Sequence, residues 1–296
     1  NMDIYLIGEL TINGALVGLM YALTALGMVL IYKASRYANL AQGAFAMAGG
    51  YVCVMFTQTF GLPIWAAIPL GVAALFVFGM VIERLVLRRM IGQPIIMVIM
   101  LTLGLEIMLR GLLPGIFGST VRKLDLGIPQ TPVFVGEILV NRAYLVGGGV
   151  ALLLILGAIA FFNSRLGVTM RAVSDDQIAS WSVGIKVERV IAIAWGLAGI
   201  AAAAAGILWG SVQGVDWTLS LLLLKALAIA ILGGLDSVGG VLVAGLIIGV
   251  AESIAAGYLD PLLGGGTRDV VASVIILLTV LVRPHGLFGR EHIERV

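Results

Sequence analysis

The residues in this sequence best placed to do chemistry are a few ionisable side chains set inside long apolar runs. Glu106 and Arg110 are four residues apart, acid before base, a spacing that lets the two neutralise each other on one helix face. Lys225 stands in the run LLLLKALAIAILGG with no evident partner close by in sequence, and Glu252 lies towards the end of another apolar run. A charge at the centre of a bilayer costs about 2.5–3.5 kcal/mol on insertion scales, so such residues are functional candidates by default. Lys225 can extend its ammonium to the interface, meet the carbonyl end of a broken helix, or line a path for a polar solute. Glu106 and Arg110 read either as a self-contained pair or as part of such a path, and Glu252 as a group that meets the interface. Asn39 and Gln42 are uncharged polar candidates for the same path, and Gln213 and Asp216 are weaker ones at its outer mouth.

Other chemistry is missing. His285 and His292 have no Cys or His companions at metal-ligand spacing. Cys53 is the one cysteine, so the chain can form no internal disulfide. None of Lys33, Lys123, Lys186 and Lys225 follows a glycine, which excludes a phosphate-binding loop of the Gly-Lys-Ser/Thr type. The triple glycines beginning at Gly147 and Gly264 lack the strand-to-helix setting of a phosphate cradle and read as packing or turn positions. No serine–histidine or paired-carboxylate constellation is present, so no catalytic residue, metal or cofactor is expected in this chain.

The elements that must position these residues follow from composition. Of 296 residues, 60% are hydrophobic and 11% charged, with a net charge of +2, and mean hydropathy is +1.11. Soluble domains carry about 25% charged residues, so a water-facing shell cannot be built from this chain. Apolar runs near residues 14–32, 39–56, 64–82, 95–113, 144–162, 190–212, 217–234, 238–258 and 270–282 approach the roughly 20 residues that cross a bilayer. The expectation is one all-α transmembrane bundle over residues 1–296, with nine spans, or eight if 39–56 enters and leaves on one side. Placing the N-terminus outside and the C-terminus in the cytoplasm puts twelve Lys and Arg inside and five outside, as the positive-inside rule asks. A net charge this small gives no reason to expect nucleic acid. Forty glycines, with GxxxG spacing at Gly14/Gly18, Gly206/Gly210 and Gly245/Gly249, predict close helix contacts.

Two loops interrupt the spans. The outer one, 114–142, contains TPVFVGEILV, whose Gly136-Glu137 between short β-prone runs predicts a hairpin; it is either a connector or a surface for an external partner. In the inner one, 163–189, Ser174 and Gln177 have capping-box spacing, Asp175 and Asp176 suit a helix N-terminus, and Gly184 is a natural stop. A helix over about 175–183 is predicted, too short to be stable alone. It packs either on its own bundle or on a cytoplasmic partner.

Four ordered segments then resemble one family over nearly the whole chain: NLAQGAFAMAGGY (39–51), RAVSDDQIASWSVGI (171–185), KALAIAILGGLDSVGGVLVAGLIIG (225–249) and RPHGLFG (283–289). They are similar to the permease subunits of bacterial ATP-binding-cassette importers for branched-chain amino acids. The resemblance implies a multi-pass permease of the inner membrane that translocates amino acids and carries no catalytic function of its own. It implies a second, related permease subunit, two cytoplasmic ATPases that hold the ATP and Mg, and a periplasmic binding protein. The short inner helix would dock on an ATPase, with Ile178 and Trp181 as buried contacts, Arg171 and Asp176 as polar ones, and Gly184 ending the element. Many relatives handling branched-chain amino acids carry histidine where this chain has Gln42, an acidic or polar residue where it has Ala44, and an uncharged residue at Glu106. Urea, short amides and organic acids therefore stand as alternative substrates. A secondary transporter or channel, independent of any ATPase and coupled through Glu106 or Lys225, is the alternative of another class.

Overall fold

The computed structural model describes residues 2–291; His292 and Arg295 lie outside the described residues. The chain is a helical bundle with one small hairpin. Its helices are α1 (Met2–Ser35), α2 (Gln42–Val54), α3 (Ile64–Leu85), α4 (Ile95–Phe117), α5 (Arg142–Phe162), α6 (Arg165–Asp175), α7 (Gln177–Ser182), α8 (Val187–Gln213), α9 (Leu222–Gly233), α10 (Val238–Tyr258), α11 (Asp260–Leu263) and α12 (Thr267–Val282). Strands β1 (Val133–Val135) and β2 (Ile138–Val140) pair antiparallel around Gly136 and Glu137, the turn the sequence marks.

Among the described residues, six helices are long and apolar enough to cross a membrane: α1, α3, α4, α5, α8 and α10. The other three apolar runs differ from the nine- or eight-span reading. At 1.5 Å per residue, the 13 residues of α2 extend only about 20 Å, against a hydrocarbon core of about 30 Å. Every residue of α2 except Val52 is buried, so its hydrophobicity serves protein contact. The run 217–234 is a single turn of 3₁₀ helix, Trp217–Leu221, followed by the 12-residue α9. Helix α12 has 16 residues and an exposed apolar face.

Glycine decides where helices meet. Gly14 and Gly18 of α1 lie against the backbone of Gly245 and Gly249 of α10, and a Cβ at Gly14 would stand 2.7 Å from the Gly249 carbonyl oxygen. Gly206 of α8 lies on the Ala46 carbonyl of α2, and Gly79 and Gly199 bring α3 and α8 together. Helices α1, α8 and α10 are accordingly the most enclosed of the long helices, while α3, α4 and α5 present mostly exposed faces. All three GxxxG pairs thus serve contact, although Gly210 meets side chains, Val215 and Leu124, instead of another helix backbone.

The end of the chain completes the core. The turn after α9 is capped by Ser237, whose hydroxyl accepts from the Gly240 amide at 3.0 Å. Residues 283–289 fold back on it: Leu287 N–H donates to the Leu232 carbonyl at 2.8 Å and Phe288 N–H to Gly233 at 3.3 Å. Helix C-termini leave carbonyls unpaired, and this segment supplies the missing donors. Gly286, at φ +77°, lies on Gly234 where a Cβ would stand 2.5 Å from the Gly234 nitrogen.

Replacing Gly18 with Val should force α1 from α10 and destabilise the fold by about 1–3 kcal/mol, read as a lower unfolding temperature of the purified protein. Gly111→Ala, where a Cβ meets nothing within 4 Å, should leave that temperature unchanged or slightly raised.

Candidate functional site

The break between α8 and α9 positions the first group. Gly214, at φ +88°, ends α8. Asp216 then caps the 3₁₀ turn, its carboxylate accepting from the Thr218 amide at 3.1 Å and from the Thr218 hydroxyl. Lys225 therefore emerges in the first turn of α9, facing α10 and α12. Its Nζ donates to Glu252 Oε1 at 2.6 Å and to Asp269 Oδ1 at 3.0 Å. The Lys225 side chain is 12% exposed and that of Glu252 1%, whereas Asp269 is open at 86%. Lys225 thus bridges one buried and one exposed carboxylate. Glu252, expected at the interface, is buried and paired instead, because α10 turns it inward onto α9. Its second oxygen, Oε2, is buried with no hydrogen-bond partner. The cluster has one end open, at Asp269, and the other sealed, at Glu252.

Glu106 and Arg110 form the ion pair their spacing predicts. Arg110 Nε also donates to Ser220 Oγ at 3.1 Å, tying α4 to the 3₁₀ turn that precedes Lys225. Asn39 and Gln42 are fully buried at the start of α2. Asn39 Oδ1 accepts from the Ala41 amide at 3.0 Å, and Gln42 Nε2 donates to the Ala198 carbonyl of α8 at 3.0 Å. The Gln42 amide fills the space a side chain at Gly27 would take. These two residues fix the start of α2 between α1 and α8, and among the described residues no hydrogen bond joins them to Lys225.

The second group lies in the loop 163–189. The predicted capping box does not form. Ser174 belongs to the last turn of α6, where its carbonyl accepts from Arg36 Nε at 2.9 Å, and Asp175 pairs with Arg36 Nη2 at 2.8 Å. With those groups engaged, the chain breaks at Asp176, whose carboxylate accepts from the Ala179 amide at 2.9 Å. Asp176 is the N-cap, and α7 is six residues long instead of about nine. Gly184, at φ +90°, ends it as the sequence predicts.

Almost nothing of α7 is buried. Ile178 is 80% exposed, Trp181 71% and Val183 76%. Ile178 and Trp181 border a groove of about 800 Å³ against α3 and α8, whose rim carries Arg84, Arg88, Lys186 and Arg189. Arg171 lies apart, lining a polar cavity with Lys33, Arg36 and Asp236. The sequence marked α7 by its stop at Gly184 and misplaced its cap. Arg36, which holds the end of α6 beside it, went unmarked, since it comes from a distant segment.

Removing one member of a buried ion pair leaves an uncompensated charge. Lys225→Met alone, which strands the buried Glu252 carboxylate, should therefore cost about 3–5 kcal/mol; Glu252→Gln should cost less, because Lys225 keeps Asp269, and the combined variant should recover much of the Lys225→Met loss, as read by thermal unfolding.

Comparison with known proteins follows the same elements. A family model described as branched-chain amino acid transport system / permease component matches residues 10–282. The high-affinity branched-chain amino acid transport system permease protein LivH of Salmonella typhimurium is 29% identical, over 96% of each chain. The permease protein BraD of Pseudomonas aeruginosa is 29% identical over 99% of each. LivM of Escherichia coli is 24% identical over 96% of this chain and 71% of its own. Among solved structures, PsaBC from Streptococcus pneumoniae in complex with Fab aligns over 94% of this chain and 92% of that one, with 15% identity and a TM-score of 0.48. Six membrane-length helices and a family match running from α1 to the end of α12 make this chain a multi-pass member of the branched-chain amino acid transport permease family.

Proposed function

We propose that this chain is one permease subunit of an ATP-driven importer for branched-chain or related amino acids in a bacterial inner membrane. Its partners in this reading are a second, related permease, two cytoplasmic ATPases carrying ATP and Mg, and a periplasmic binding protein. The observation that carries the reading is α7. A six-residue helix is unstable by itself, yet this one is capped at Asp176, stopped at Gly184 and braced through Arg36 so that Ile178, Trp181 and Val183 face outward. Burying one such side chain contributes about 1.5–3 kcal/mol, enough for a few of them to anchor a partner. With no nucleotide-binding loop among its lysines, the chain needs that partner to supply energy. Similarity to both LivH and LivM supports an assembly of two different permeases.

In this scheme substrate passes beside the α8–α9 break, with Lys225 as the polar group nearest the path. Glu106 holds the 3₁₀ turn through Arg110, while Asn39 and Gln42 set the wall behind it. Concentrating an amino acid tenfold requires about 1.4 kcal/mol, so transmission of motion from α7 is the harder task.

Combining Ile178→Ala with Trp181→Ala should abolish ATPase co-purification and ATP-dependent uptake while membrane insertion and thermal stability stay at the parent level, since both side chains are exposed. Retained co-purification and uptake would refute the docking role. Uptake that continues without ATPase subunits and collapses with the ion gradient would instead establish a secondary transporter.

A further inference from the structure

The polar cavity beside Arg171 has a volume of about 470 Å³ and lies at the end of the bundle that carries α6 and α7. The ends of α1 and α5, the α6 helix, the α9–α10 turn and the returning tail enclose it. Its frame is held by Arg36, which grips Ser174 and Asp175 and so fastens the end of α6 to α1. Lys33, one turn before Arg36, and Arg171, one turn before Ser174, line the same space. Lys33 Nζ stands 4.9 Å from the centre of the Phe162 ring, a cation–π contact with the end of α5.

The charges in this cavity do not balance one another. Each of its three carboxylates has a prior partner: Asp175 pairs with Arg36 at 2.8 Å, Glu291 meets His285 at 4.0 Å, and Asp236 accepts from the Arg290 amide at 3.4 Å. Lys33 and Arg171 have no carboxylate within 4.0 Å among the described residues, and Asp236 acts on Lys33 only from farther away. The two cations are near enough to repel each other. Helix α10 begins on the same wall, at Val238 and Gly239, and adds the positive end of its dipole. An anion between Lys33 and Arg171 would turn that repulsion into attraction.

The same cavity runs into a surface suited to hydrocarbon. Leu145, Leu152, Leu156, Ile159 and Asn163 are spaced 7, 4, 3 and 4 residues apart, which places them on one stripe of the membrane-length helix α5. Leu145, Leu152 and Leu156 are 43%, 36% and 46% exposed, while Ile159 and Asn163 belong to the cavity wall. The stripe therefore passes from apolar to polar where it reaches the two cations, the order of groups along a phospholipid. We propose that this cavity binds the phosphate of an anionic phospholipid, with Lys33 and Arg171 on the phosphate oxygens and one acyl chain along Leu156 and Leu152. Basic pockets between membrane helices take acidic headgroups in this way. A free phosphate would answer the cations and leave the leucine stripe uncovered. The site needs only that the chain spans a membrane, so it stands or falls apart from the importer reading.

The test titrates the full-length chain, with any subunits that co-purify, against phosphatidylglycerol, phosphatidylcholine and inorganic phosphate, and counts bound molecules by native mass spectrometry. One phosphatidylglycerol should bind about tenfold or more tightly than phosphatidylcholine. Lys33→Gln and Arg171→Gln should each weaken it about fivefold, and together about tenfold or more, with partial retention in Arg171→Lys. Arg165→Gln, which removes a cation at the same end of the bundle but outside the cavity, should leave binding at the parent level. A phosphatidylglycerol carrying a diazirine in its acyl chain should label the tryptic peptide 143–165. The lipid preference and the labelling are read on the parent protein and stand even if a variant does not fold. Equal affinity for phosphatidylcholine, labelling that misses residues 143–165, or an equal loss in Arg165→Gln would overturn the site. Displacement of the lipid by inorganic phosphate, with no label on 143–165, would assign the cations to a free anion and overturn the lipid.

Discussion

Lipid offers helices no hydrophobic reward for meeting, because hydrocarbon tails are as apolar as leucine. Association inside a bilayer must come from close van der Waals contact and from polar groups that find each other. This chain meets that constraint by removing side chains where backbones touch. Gly14, Gly18, Gly245 and Gly249 form one seam, and Gly79, Gly199 and Gly206 form another through α8. Around these seams α1, α8 and α10 make a dense centre, and the polar residues are admitted only where that density can satisfy them. Gln42 occupies the space left by the absent side chain of Gly27, and Lys225 reaches Glu252 across the narrow α9–α10 contact.

The same constraint explains the broken elements. A backbone break inside a membrane protein is tolerated only where protein supplies the missing hydrogen-bond partners. At the α8–α9 break the carboxylate of Asp216 does so, and at the foot of α9 the returning residues 283–289 do so. The hairpin segment is sewn to the same break, with Arg122 and Val215 exchanging backbone hydrogen bonds at 3.2 and 2.8 Å. The 114–142 loop, the broken helix and the ion cluster are therefore one connected structure.

What the sequence disclosed depended on distance along the chain. Signals complete within a few residues were legible: the Gly136-Glu137 turn, the Gly184 stop and the Glu106–Arg110 pair. The Lys225 cluster was not, since its carboxylates are 27 and 44 residues away and nothing local links them. The inner-helix cap was misplaced for a related reason. Ser174, Asp175 and Asp176 are all competent caps, and the choice among them is made by Arg36, 139 residues before Asp175. Short apolar elements are hard to assign from sequence because a buried helix and a lipid-facing one are equally apolar; α2 differs from a full span in its 13-residue length and in being enclosed by protein.

Arg36 carries a mechanical implication. It sits at φ +59°, a left-handed conformation uncommon for a residue with a side chain, and from there its guanidinium crosslinks the foot of α1 to the end of α6. In the importer reading, a push delivered to α7 would pass through this contact towards α1, which glycine contacts hold against α10. The paired helices would then move together, leaving the give to the outward-facing helices α3, α4 and α5.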